Sequence, residues 1–189
     1  TPTATAMHAL TLDHLSEGRL VLGLGVSGPQ VVEGWYGQPY PKPLARTREW
    51  VEIFRKIVSR DEPVSFDGKH YQLPLDGGTG LGKPLKLIQH PIREHIPVYL
   101  GAEGPKNVAL SAEVCDGWIP MFISPYKMTD VYKDAMAIKS AQFEIAAAVP
   151  VIIDDDVDRA LAQIKQNVGF YVGGMGAKSF NVHKDHVSR

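Results

Sequence analysis

The run Arg19-Leu20-Val21-Leu22-Gly23-Leu24-Gly25-Val26 is apolar at odd and even positions alike, and it ends in Ser27-Gly28-Pro29. A strand with two apolar faces needs cover on both sides, the condition of a parallel strand between other layers. The pattern recurs at Pro97-Val98-Tyr99-Leu100, at Trp118 to Ile123 and at Ile145 to Ile153. Helical periods separate these runs. Thr1 as cap, Pro2 in the first turn, the stripe Ala6, Met7, Leu10 and Leu15, and Gly18 as stop predict an opening helix. Trp50, Val51, Phe54, Ile57 and Val58 mark a second, with charged residues between them. Further helices are expected over Pro105 to Val114, more weakly over Tyr126 to Lys139, and along Val157, Leu161, Ile164 and Val168. Asp154-Asp155-Asp156 caps the last of these and Gly173-Gly174-Met175-Gly176 ends it. The alternation predicts an α/β fold built on a parallel sheet.

One stretch breaks the alternation. Residues 61–95 have no helical period. They hold an expected hairpin, Val64-Ser65-Phe66 and Tyr71-Gln72-Leu73 around Asp67-Gly68, then a Gly/Pro-rich segment from Pro74 to Pro84. A long irregular segment inside a compact domain is commonly functional. We expect 61–95 to be an insertion that lies as a lid over the C-terminal ends of the strands.

Composition narrows the function classes. The 189 residues, 44% of them hydrophobic, suffice for one core, so 1–189 is expected to be a single domain. A net charge of −1 offers no electrostatic reason to bind nucleic acid or an anionic membrane. No apolar run approaches the roughly 20 residues of a membrane span. The single cysteine, Cys115, fits a reducing, cytoplasmic compartment and reads as a small buried apolar residue. The histidines do not cluster at ligand spacing, and His183 and His186 read as part of a solvated tail, so no metal is expected. The opening Thr1-Pro2-Thr3 and the polar close lead us to expect that both ends are cut from something longer.

Two glycine-rich turns carry the candidate chemistry. Gly23-Leu24-Gly25-Val26-Ser27-Gly28 matches G-x-G-x-x-G after a strand, but it lacks the helix that should open at the third glycine. The acidic residue about 20 positions on would be Glu49, which sits on a helix. A dinucleotide site there would require the strand order to reverse at Gly25. The alternative is that Gly23 and Gly25 lack side chains where something flat lies against the strand end. Gly101-Ala102-Glu103-Gly104-Pro105-Lys106-Asn107 joins a strand to a helix, and the N–H groups of that helix start suit a phosphate. The other reading is a tight loop with a cap. Trp35, Tyr36 and Tyr40 either wall a flat ligand or pack ordinarily. No G-x-S-x-G elbow and no Cys/His pairing supports covalent hydrolysis.

Thr11-Leu12-Asp13-His14-Leu15-Ser16-Glu17-Gly18-Arg19-Leu20, running into Gly23-Leu24-Gly25-Val26, resembles the bacterial luciferase-like monooxygenase superfamily. Ser27-Gly28-Pro29-Gln30 and Pro43-Leu44-Ala45-Arg46-Thr47-Arg48-Glu49 are similar to its coenzyme F420-dependent oxidoreductase branch. So are Gly101 to Asn107 and Ala112-Glu113-Val114-Cys115-Asp116-Gly117-Trp118. The resemblance implies a partial (β/α)8 TIM barrel with an insertion after the fourth strand-helix unit, and strands four to seven beginning at Leu20, Pro97, Trp118 and Ile145. It implies hydride transfer between F420, alternatively FMN, and an organic small-molecule substrate. It places Ser27, Gly28, Gly101, Ala102, Glu103, Gly104, Pro105 and Lys106 at the cofactor. No catalytic residue carries over, since the early strands that hold such groups in the family are not in this chain. A homo-oligomer is expected for the intact protein. The competing expectations are a non-catalytic flavin-binding or subunit-association remnant of the same fold, and an NAD(P)-binding domain.

Overall fold

The computed structural model describes residues 1–174 and 181–188. Four parallel strands form its sheet, β1 (Leu22–Gly25), β4 (Val98–Gly101), β5 (Gly117–Ile119) and β6 (Glu144–Ile145), as neighbours in that order. Between the first two lies a small antiparallel hairpin, β2 (Phe66–Asp67) with β3 (Gln72–Leu73). The order follows the chain and does not reverse at Gly25, so the condition for a doubly wound NAD(P) domain is not met.

The helices follow their capping chemistry. In α1 (Pro2–Leu15) the Thr1 hydroxyl accepts the Ala4 N–H, and the chain leaves through Glu17 and Gly18, both left-handed at φ 54° and 79°. The Gly18 N–H returns to the Asp13 carbonyl at 2.9 Å, closing the helix end. Helix α2 (Pro29–Val32) is a single turn, and α3 (Pro43–Ser59) packs against α1. Helix α4 (Pro105–Val114) runs as the pattern predicts, and α5 (Met128–Met136) is shorter than its expected range. In α6 (Val157–Gly169) the Asp156 carboxylate accepts the Arg159 N–H at 3.1 Å, so the acidic triplet is a cap. A π-turn (Phe170–Gly174) and α7 (Val182–Val187) complete the chain; Met175 and Gly176 of the expected stop lie outside the described residues. Among the described residues no helix is long and apolar enough to cross a membrane.

The core sits between the sheet and the helices. Val98, Leu100 and Trp118 are fully buried, together with Leu10 of α1, Ile53 and Phe54 of α3 and Val108 of α4. The alternate strand residues point the other way. Register places Gly23, Tyr99, Gly117 and Glu144 in one row, with Gly25, Gly101 and Ile119 in the next row toward the C-terminal ends. Among the described residues this inner face is open at Gly23 and Gly25. The glycine at 117 has a steric cause. A Cβ there would lie 2.8 Å from the Tyr99 ring and 2.9 Å from the Glu144 carbonyl oxygen. The Tyr99 phenol meets Glu144 across that glycine. This hydrogen bond, then burial and the nearby carboxylates, push the phenol up to about 12. We expect Gly117→Ala to cost about 1–3 kcal/mol through overpacking, read as a lower urea midpoint at unchanged slope. An unchanged midpoint would mean that the row has room.

Three expectations are corrected. The run from Ile145 to Ile153 is a strand only at its first residues. Beyond Ala146, whose N–H reaches the Trp118 carbonyl at 2.9 Å, Val149, Val151 and Ile153 are 73%, 77% and 97% exposed. Strand β5 ends at Ile119, leaving no neighbour for a longer β6 to pair with. In α1, Met7 and Leu15 face outward, and the buried face runs through Ala6, Ala9, Leu10 and Asp13. Asp13 belongs to that face because its carboxylate meets Arg93.

The third correction concerns residues 61–95, whose anchoring bonds lie along α3 and at the entrance to β1. The Glu49 carboxylate accepts the N–H groups of Lys69, His70 and Tyr71 at 2.9, 2.8 and 3.1 Å. Arg60 donates to the Leu87 carbonyl, the His14 ring meets the His90 carbonyl, and Arg93 reaches Asp13. The segment therefore flanks α3 and the N-terminal ends of the strands and is not a lid over the C-terminal ends. Glu49, the acidic residue of the dinucleotide reading, is occupied by this hairpin. Burial alone would raise its pKa, but the three N–H donors and His70 outweigh that and hold it below the ordinary carboxylate range. A depressed folded-state pKa gives stability that is present above the unfolded value, about 4.3, and is lost as pH falls through the folded one. We expect amide protection at 69–71 to decline below about pH 4, and Glu49→Gln to abolish that pH dependence. Protection that stays flat in the unsubstituted chain would contradict the anchoring role.

Candidate functional site

Parallel α/β units collect ligands at the C-terminal ends of their strands. Here β1 and β4 end side by side, with Gly25 opposite Gly101. Among the described residues a Cβ on Gly25 would meet nothing within 4 Å, and one on Gly101 only the Leu24 carbonyl oxygen at 3.5 Å. The two strand ends thus form a shallow floor without side chains. Ser27 follows in the left-handed conformation at φ 57°, and its carbonyl accepts the Tyr40 hydroxyl at 2.9 Å. Gly28 caps the single-turn α2. Trp35 and Tyr36 are 82% and 64% exposed, stacked with their rings 6.4 Å apart, and take no part in the core.

On the β4 side, buried Ala102 offers its carbonyl to the Trp118 indole N–H at 2.9 Å, which ties the loop to β5. Gly104 sits at φ 77° and is the N-cap of α4, with no side chain capping that helix among the described residues. Pro105 brings no N–H and the Asn107 N–H returns to the Gly104 carbonyl at 3.1 Å, so the first turn of α4 offers the backbone N–H of exposed Lys106. Ser27, Gly28 and residues 101–106 thus meet at one end of the sheet.

The sequence reading missed one partner. His183, expected in a solvated tail, is only partly exposed, and its Nδ1 lies 2.9 Å from Glu103 Oε1. Its ring makes edge contacts with Phe122 and Tyr171 at 6.3 and 5.4 Å between centroids. Phe122 follows β5 and is itself left-handed at φ 54°. With the histidine and the carboxylate 80 positions apart, no local pattern in the sequence joins them.

The opposite end of the sheet carries a different cluster. Asp116 accepts the Val98 N–H at 2.8 Å and meets both Arg55 and His95. A cavity of about 290 Å³ lies beside it, lined by Phe54, Arg55, Lys56, His95 and neighbours. This cluster pins the start of β4 to the start of β5. Cys115 next to it is buried, which pushes its thiol up to about 12 and leaves it unreactive at neutral pH.

The family model for luciferase-like monooxygenases matches residues 1–188. The chain belongs to the luciferase-like monooxygenase family. It is 58% identical, over its whole length, to a Mycobacterium tuberculosis protein named as a coenzyme F420-dependent oxidoreductase, of which it covers 57%. It is 35% identical to a 5,10-methylenetetrahydromethanopterin reductase of Archaeoglobus fulgidus, across 92% of this chain and 50% of that one. Among solved structures, an F420-dependent secondary alcohol dehydrogenase, in complex with an F420-acetone adduct, matches with TM-score 0.77 at 21% identity, over 98% of this chain and 56% of that one. The coenzyme F420-dependent tetrahydromethanopterin reductase of Methanopyrus kandleri matches with TM-score 0.71 at 26% identity, over 93% and 53%. The chain spans about half the length of these relatives. Its sequential parallel strands and outer helices are part of a (β/α)8 barrel.

Proposed function

We propose that this luciferase-like chain supplies one half of the cofactor face of a coenzyme F420-dependent oxidoreductase acting on a small organic molecule. The observation that carries the reading is the pairing of Gly25 with Gly101 at the C-terminal ends of β1 and β4. That floor admits a flat ring where any larger side chain would stand in its way. The residues fit the group in a second respect, since the uncapped start of α4 behind left-handed Gly104 suits an anion. Gly101, Ala102, Gly104 and Lys106 would hold the phosphate end, with Ser27 and Gly28 beside the ring. When bound, F420 supplies a two-electron hydride acceptor or donor. The protein's part is to orient the ring and to keep water from its reacting face. The names of the relatives support F420 over FMN.

Equilibrium titration of the chain with F420 and with FMN, followed by cofactor fluorescence, tests the reading. Tighter binding of F420 is expected; tighter binding of FMN, or of neither, would overturn it. Self-association belongs to the same proposal. Strands β1 and β6 are each paired along one edge only, among the described residues, and open edges invite pairing. Sedimentation is expected to show a species heavier than one chain, and a clean monomer would contradict that. A cytoplasmic location is supported by the free, buried Cys115.

A further inference from the structure

Two acceptor oxygens near the start of α4 are buried with no hydrogen-bond partner among the described residues. They are Glu103 Oε2 and Asn107 Oδ1. Buried polar atoms are nearly always paired, because leaving one unmade costs the full desolvation of that group. The Glu103 side chain is only 11% exposed, so water does not readily make up the deficit. Its other oxygen is accounted for by His183 at 2.9 Å. The imidazole is in turn packed by Phe122 and Tyr171, which limits how far it can turn. The carboxylate is thus held in one orientation, with one oxygen committed and the other waiting for a donor.

The chemistry of the missing partner follows from these atoms. A carboxylate oxygen and an amide oxygen both accept, so the group that satisfies them must donate. A phosphate does not fit, since it brings further acceptors and negative charge against Glu103. A hydroxyl does fit, and a hydroxyl to a carboxylate is a charge-assisted bond of the stronger kind. Both F420 and FMN carry a chain of hydroxyls between ring and phosphate. The Glu103 loop lies between the Gly25–Gly101 floor and the α4 start, where such a chain would have to run.

Resting on the F420 reading above, we propose that Glu103, one carboxylate oxygen held by His183, presents the other to a hydroxyl of the cofactor's polyol chain. Glu103 is then a ligand-contacting residue and His183 a positioning residue. The assignment also removes the electrostatic objection to an acidic side chain in a phosphate-binding loop. The carboxylate is turned toward His183, leaving the α4 start to the anion.

Two probes isolate the hydroxyl contact. One is the deazaflavin ring carrying its polyol chain without phosphate; the other is the same ring with a methyl group in place of that chain. The unsubstituted chain is expected to bind the first about tenfold more tightly than the second. Glu103→Leu keeps part of the bulk but offers neither a donor nor an acceptor where Oε2 stood. The preference is expected to vanish in that variant, with affinity for the methyl-bearing ring unchanged. His183→Gln keeps an N–H donor for Oε1 and should keep the preference. Because the readout is a ratio within one variant, a partly unfolded population cancels from it. A preference that survives Glu103→Leu, or equal binding of the two probes by the unsubstituted chain, would overturn the hydroxyl assignment while leaving the cofactor reading standing. Failure of both probes and of F420 to bind would overturn both.

Discussion

Asp13→Ala is expected to destabilise the fold by about 3 kcal/mol, which for a chain of this size lowers the melting temperature by about 6–12 °C. The side chain of Asp13 is fully buried. Its carboxylate takes two N–H bonds from the Arg93 guanidinium, at 2.7 and 3.0 Å, and the Leu20 N–H at 3.3 Å. Arg93 also donates to the Leu20 carbonyl. This network joins the end of α1 to the entrance of β1 and to the last part of the 61–95 segment. Its removal leaves the Leu20 N–H without this partner and the guanidinium with only the Leu20 carbonyl of the network. Arg93→Ala is expected to cost more than Asp13→Ala, because it strands a fully buried carboxylate. Arg93→Lys should rescue little, since an ammonium cannot reproduce the forked contact. Both alanine variants melting within about 1 °C of the unsubstituted protein, far inside the expected shift, would show that the network is not structural.

Gly25→Val is expected to have the largest effect on function. Its Cβ meets nothing within 4 Å, and its backbone is ordinary extended strand, where a β-branched residue is well tolerated. Melting should therefore change little. The new side chain would stand on the floor beside Gly101, and F420 affinity should fall by about tenfold or more, a loss of at least 1.4 kcal/mol. Gly104 is a less clean position for the same test. At φ 77° any side chain is strained, so Gly104→Val would lower stability and binding together. Unchanged affinity in Gly25→Val would remove the ring from this floor.

The strands and helices were legible because burial follows period. Val98, Leu100 and Trp118 form the core that the apolar runs announce, and the cap of α6 at Asp156 is written in its side chain. Where pairing rather than apolarity decides, the sequence misled. The run to Ile153 has strand composition, but strand structure needs a neighbour, and β5 is too short to provide one. Asp13 is not part of the apolar stripe, and its burial could not be read locally because its partner lies 80 positions away. The placement of 61–95 depends on Glu49 and Arg60 reaching particular backbone groups, which no periodicity encodes. The two glycine-rich turns of the candidate site were visible as turns, and register brings their strands together. His183 was hidden for the same reason as Arg93, since a side-chain pair far apart in sequence leaves no local trace.

The placement of the cofactor face is tested most directly by backbone amide chemical shifts of the chain with and without F420. The largest changes are expected at 25–28 and 101–106, with His183 following, and little change at Arg55, His95 and Asp116. Changes centred on Arg55, His95 and Asp116 would put the ligand at the opposite end of the sheet and contradict the account.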